Sequence, residues 1–238
     1  MEVPFNNKKI LAKFDYIVDT FHNLCEKDGI DLSNPKLQYI AQTTKVSQYL
    51  NDPEKIRALA LEPELRNGYL PNALDYRGYP IDYRFISVEH IKNELMSKEW
   101  LDYYEYGKFD LPIEIGTASS ALFVHYPNNG LTGWHTNWNA NAYQILFTWS
   151  ETGDGFFSYW DKQQNKVVTV QDKPGWQCRW YYFGRKDEPE HHCWHTCYSG
   201  NSRRMTLAFK FSNEGKHSEK DSNAQLLRDE LIAEISSD

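Results

Sequence analysis

His135-Thr136-Asn137, His195 and Arg204 are the residues of this sequence best suited to chemistry. The first three lie in a segment that reads as a strand. Alternation there puts His135 and Asn137 on one face and Thr136 on the other. A strand carrying donors at i and i+2 offers both to a single metal ion. His195 lies in a second short run, which turns at Tyr198-Ser199-Gly200-Asn201 and returns through Arg203-Arg204-Met205-Thr206-Leu207. A hairpin centred between Ser199 and Gly200 sets His195 opposite Arg204, and cross-strand partners share a face. Arg204 is then expected inside, beside His195, with Arg203 outside. Two histidines and one carboxylate on one face of an octahedron bind Fe(II) and leave positions for a co-substrate and O2. An inward arginine next to such a site suits the far carboxylate of a dicarboxylic acid.

The elements that must hold these residues are β-strands. Short β-type runs read at 118–126, 132–137, 142–149, 155–160, 166–171, 177–183, 192–197 and 203–211, separated by turn-forming clusters such as Pro127-Asn128-Asn129-Gly130 and Lys173-Pro174-Gly175. About eight short strands over roughly 95 residues is the pattern of a β-sandwich or rolled barrel. Helical spacing predicts helices at 8–26, 36–50, 53–62, 88–103 and 223–235, with Ser87 as an N-cap and Asp28-Gly29 as a stop. The stretch 63–86 reads as irregular loop. The expected organisation is a single structural domain: a helical flank at 1–112, a β-core at 113–213, and a linker with a final helix at 214–238.

Composition narrows the class. Of 238 residues 25% are charged and 40% hydrophobic, which excludes global disorder. No apolar run approaches the roughly 18 residues a membrane span needs, and Met1-Glu2-Val3-Pro4-Phe5-Asn6 lacks the pattern of a secretion signal. A net charge of -7 argues against a nucleic-acid partner. Cys25, Cys178, Cys193 and Cys197 are too few for a disulfide framework, so a reducing cytoplasm is expected. Aromatic residues reach 15%, and every tryptophan except Trp100 falls between Trp134 and Trp194. Trp134 and Trp138 alternate with His135 and Asn137, so they are expected to face away from the site and pack against helices. Trp149 and Trp194 likewise take the opposite parity from Thr148 and His195.

With these residues in place, the stretch from Ala121 to Phe211 resembles the double-stranded β-helix (jelly-roll, cupin-like) core of the 2-oxoglutarate/Fe(II)-dependent oxygenases, nearest their prolyl-hydroxylase-like branch. The matching residues are Tyr126-Pro127-Asn128-Asn129-Gly130 leading into Gly133-Trp134-His135-Thr136-Asn137, then Thr148-Trp149-Ser150-Glu151, Pro174-Gly175, Trp194-His195 and Arg204. The Gly-Trp-His-Thr-Asn form also resembles oxygenase-like proteins of bacteriophages. The resemblance implies a dioxygenase using Fe(II), 2-oxoglutarate and O2. It assigns His135 and His195 to iron, Arg204 and Tyr126 to the distal carboxylate of 2-oxoglutarate, and Thr148 to the same pocket. The primary substrate stays open between a protein side chain, a nucleotide and a small metabolite.

The departure is Asn137, where the family carries Asp or Glu. Three readings follow: Asn137 ligates in a hydroxylase with weakened iron affinity, an anion fills the vacant place as in the family's halogenases, or the chain is a non-catalytic pseudo-oxygenase that binds a partner. His192, twelve residues before Arg204, is the alternative distal ligand. A zinc site on His191, His192, Cys193, His195 and Cys197 is disfavoured, because alternate residues of one strand form a line, not a tetrahedron. His125 faces away from Tyr126 and reads as structural. Arg179 is a further inward candidate, and Tyr76-Arg77-Gly78-Tyr79 and Tyr103-Tyr104-Glu105-Tyr106 are candidates for a pocket rim.

Overall fold

In the computed structural model of the chain, residues 1–61, 82–137, 143–184, 191–211 and 222–237 are described. Their strands are β1 (Glu2–Val3), β2 (Ile40–Gln42), β3 (Tyr83–Ile86), β4 (Ser119–Tyr126), β5 (Leu131–His135), β6 (Tyr143–Ser150), β7 (Phe156–Asp161), β8 (Lys166–Gln171), β9 (Gly175–Tyr182), β10 (His195–Tyr198) and β11 (Arg204–Lys210). All pair antiparallel, in the order β1-β9-β6-β11-β4-β3-β5-β10-β7-β8, with β2 added to β3. The sheet therefore curls. β9, β6, β11 and β4 make one wall, β5, β10, β7 and β8 the other, and β3 bridges them by pairing with both β4 and β5. This is a mainly antiparallel, jelly-roll-like half-barrel with helices on its outside.

Alternation decides what each wall holds. On the first wall Phe147, Leu207, Phe209 and Cys178 point outward, and α1 (Lys8–Lys27) covers them with Ile10, Phe14, Ile17, Val18 and Phe21. Phe14 stacks near Phe147 at a centroid distance of 4.2 Å. Asn7 caps α1 by accepting from the backbone N–H of Lys9 and Ile10, and Gly29 (φ +65°) follows its end. The opposite parity, with Val124, Tyr126, Leu146 and Ala208, forms a smaller inner core with Phe157, Phe183 and Cys197 from across the barrel. Outside the second wall, α2 (Thr44–Gln48) and α3 (Pro53–Leu61) bury Val46, Ile56 and Ala60 on Leu131, Phe156 and Tyr198.

Several expectations change. The predicted helix at 36–50 is a 3-10 turn at Leu37–Tyr39, then β2, then α2, because Ile40-Ala41-Gln42 pairs with β3. The predicted helix at 88–103 is two: α4 (Val88–Leu95), capped by the Ser87 hydroxyl, and α5 (Lys98–Glu105). They are divided by Met96 in the left-handed region (φ +49°). A short helix, α6 (Leu111–Glu114), follows, and the final helix, α7, spans Ser222–Ser236. β3 was hidden in the stretch read as loop, whose residues 63–81 lie outside the described residues together with Tyr76-Arg77-Gly78-Tyr79 and Trp138.

The largest correction concerns Tyr198 to Asn201. This is no hairpin: β10 pairs with β5 and β7, whereas β11 pairs with β4 and β6. The segment crosses between walls, held by Ser199 N–H to Gly130 O (2.9 Å) and Asn129 N–H to Gly200 O (2.7 Å). Arg204 is opposite Tyr126 and Ser150, not His195. Trp134 also differs from expectation: it packs on Trp194, Trp160 and Val167 rather than on a helix.

Candidate metal centre

A β-bulge aims the first histidine. His195 pairs with His135, but Cys197, two residues on, pairs with Thr132, three residues back. The extra residue in β5 lets Thr132 and His135 both point inward while Trp134 points out. Gly133 sits at the bulge, where its N–H donates to Asp82 O at 2.6 Å. A Cβ there would lie 2.5 Å from that same backbone oxygen, so only glycine fits.

The two imidazoles meet across the β5–β10 pair, with ring centroids 4.1 Å apart and an interplanar angle of 51°. His135 Nδ1 is 2.8 Å from Gly133 O, and His195 Nδ1 is 2.9 Å from Cys193 O. A carbonyl oxygen only accepts, so both Nδ1 atoms carry the proton and both Nε2 atoms present a lone pair. A backbone carbonyl behind each ring is the arrangement that fixes a metal-ligating histidine. Desolvation, opposed by hydrogen bonding to the backbone of Gly133 and of His195, lowers the His135 pKa to about 4. Desolvation and then the neighbouring His135 hold His195 well below the usual range.

His135, Asn137 and His195 line one cavity of about 580 Å³ together with Tyr126, Arg204 and Thr206. Asn137 follows the end of β5 and keeps the inward parity. Phe183 and Phe157 flank His195 at centroid distances of 4.5 and 5.5 Å, and Tyr83 and Phe85 of β3 complete an apolar stretch of wall. Tyr126 is buried; its hydroxyl hydrogen-bonds Thr132 Oγ1 at 2.9 Å and accepts from Cys197 Sγ at 3.3 Å. Burial pushes its pKa up. Among the described residues no group of three or more His, Cys, Asp or Glu is placed to hold a metal. A divalent ion in this cavity would meet the two imidazoles and the Asn137 amide, three neutral donors that suit such an ion without a carboxylate.

Other candidates separate from this cavity. Thr148 is buried on the inner face between Gln177 and Thr206, but it does not line the cavity wall. Arg179 also points inward, and its Nη2 donates to Gln177 Oε1 at 3.0 Å. His192 is buried and lies outside the cavity lining. Arg203 faces the other way from Arg204 and forms a two-point ion pair with Glu151. In Tyr103-Tyr104-Glu105-Tyr106, Tyr103 is buried under α1, where its hydroxyl meets His125 Nε2 at 2.8 Å. His125 stacks on Phe21 at 3.6 Å. Thr206 was missed, although its parity with Arg204 is readable. Asp172 sits just beyond β8 with no periodic signal.

Three histidines thus stay neutral in the folded chain: His125, His135 and His195. The unfolded chain protonates them near pH 6.5. Because the folded pKa values are depressed, stability is full above that pH and is lost as pH falls below it. The metal-free chain should lose a few kcal/mol between pH 7.5 and 5.5, on the order of 1 kcal/mol for each histidine. Urea unfolding at the two pH values measures this, and His125→Phe should remove about a third of the drop.

No protein-family model matches the chain, and no curated protein matches it. Among solved structures it is similar to a prolyl-4-hydroxylase from Pseudomonas putida, with 12% identity, a TM-score of 0.30, and coverage of 74% of this chain and 94% of that one. A likeness this distant carries no functional inference. Among the described residues no helix is long and apolar enough to cross a membrane.

Proposed function

We propose that the cavity is the mononuclear Fe(II) site of a 2-oxoglutarate-dependent oxygenase of the hydroxylase type, built on a double-stranded β-helix core within 113–213. The observation that carries this reading is the pair of carbonyl-backed imidazoles, which line one cavity together with Asn137 and Arg204. His135, His195 and the amide oxygen of Asn137 would hold the ion. When bound, Fe(II) and 2-oxoglutarate supply the activation of O2 that hydroxylation of a C–H bond requires.

The chain's own part is binding and exclusion. Arg204, with Thr206 beside it, offers N–H donors to a carboxylate, and the Tyr126 hydroxyl lies on the same wall. Phe157, Phe183, Tyr83 and Phe85 keep water from the remaining wall.

Asn137 also supports a second reading, a non-catalytic protein that keeps the pocket to bind a ligand. Asn137→Asp separates the two. Supplying the missing negative charge should tighten Mn(II) or Fe(II) about tenfold or more, since hard divalent ions favour carboxylates. Under the oxygenase reading the variant also keeps or raises 2-oxoglutarate consumption. If neither form consumes 2-oxoglutarate with iron and O2, the binding reading replaces it.

A further inference from the structure

Arg204 is already engaged before any ligand arrives. Its Nε donates to Asp172 Oδ2 at 2.7 Å and its Nη1 to Thr206 Oγ1. The side chains of Arg204 and Asp172 are 2% and 0% exposed, so the pair is dry. Asp172 Oδ1 has no hydrogen-bond partner, which leaves Arg204 as the carboxylate's one compensating contact among the described residues. The carboxylate fits there because residue 155 is glycine: a Cβ at that position would lie 2.6 Å from Asp172 Oδ2. Among the described residues Arg204 is also the one lysine, arginine, aspartate or glutamate lining the cavity.

We propose that Asp172 is a specificity-determining residue, which offsets the charge of Arg204 so that the cavity reads the ligand's tail as a hydrogen-bond acceptor and gives little preference to a negative charge. This role of Asp172 rests on the cavity binding an oxo acid, as proposed for its function. A guanidinium has five N–H donors, and two are used by Asp172 and Thr206. The rest remain for a ligand. A ligand carboxylate gains attraction from Arg204 but meets repulsion from Asp172 on the far side of the same group, in a site where water screens neither. A carboxamide makes a hydrogen bond to the same donors and feels neither charge as strongly. The two tails should therefore bind alike.

The test uses the Mn(II)-loaded full chain and calorimetry, with N-oxalylglycine, an unreactive isostere of 2-oxoglutarate, and its glycinamide counterpart, in which the tail carboxylate becomes an amide. In the wild type the two dissociation constants should differ by no more than about tenfold. Asp172→Asn keeps an acceptor for Arg204 Nε and removes the charge, so it should tighten the carboxylate by at least about tenfold and leave the amide unchanged. Preference for the carboxylate above tenfold in the wild type, or an unchanged ratio in the variant, overturns the role of Asp172. Should the variant not fold, the wild-type ratio alone decides. If neither compound binds the loaded wild type, the oxo-acid reading itself falls and this proposal with it.

Discussion

Replacing His135 or His195 by alanine is expected to weaken Mn(II) or Fe(II) binding by at least about a hundredfold, more than the 10- to 100-fold typical of changes behind a metal's direct ligands. At the proposed site each imidazole would supply one neutral nitrogen donor, and the third donor lining the cavity would be the Asn137 amide. With so weak a set, no remaining group among the described residues substitutes for a lost histidine. The variants should nevertheless fold. Both rings lie in a desolvating site that disfavours their charged forms, so removing one also removes part of the acid sensitivity derived above. Calorimetric metal titration together with urea unfolding at pH 7.5 and 5.5 reads both effects. His125→Phe is the control: His125 lies on the helix side of β4, and metal affinity should not change.

Replacing Arg204 by alanine should cost about 3–5 kcal/mol of stability, because it strands a buried carboxylate. Asp172 has one oxygen on Arg204 and one without a partner, so it has nothing to fall back on. Removing both charges avoids that cost: the pair Arg204→Met with Asp172→Leu should regain most of the loss. Such a cycle separates the packing role of Arg204 from any role toward a ligand. A single variant that loses less than about 1 kcal/mol would mean that the pair is not held dry.

Much of the β-core was legible because its strands alternate cleanly and are bounded by glycine, proline and asparagine. The runs at 118–126 and 166–171 match β4 and β8 to within a residue. Periodicity also placed His135 and Asn137 on one face. What it does not carry is pairing. His195 and Arg204 line one cavity, yet from opposite walls, so the hairpin argument reached a shared pocket through the wrong contact. β2 and β3 are too short for a pattern and exist because they pair with each other and with the walls. The bulge at Gly133 depends on the backbone of Asp82, fifty-one positions earlier in the chain. Asp172 is the clearest case: a polar residue after a strand reads as a turn, and only the fold brings it under Arg204.

The most direct measurement is an anaerobic titration of the wild-type chain with Fe(II) and then 2-oxoglutarate, followed by visible absorption. If His135, His195 and Asn137 hold iron with an oxo acid chelated beside them, a metal-to-ligand charge-transfer band should grow with 2-oxoglutarate and saturate at one equivalent of each, and should be absent in His135→Ala and His195→Ala. Saturable growth of the same band in both alanine variants, or no band in the wild type at saturating iron and 2-oxoglutarate, would contradict the account.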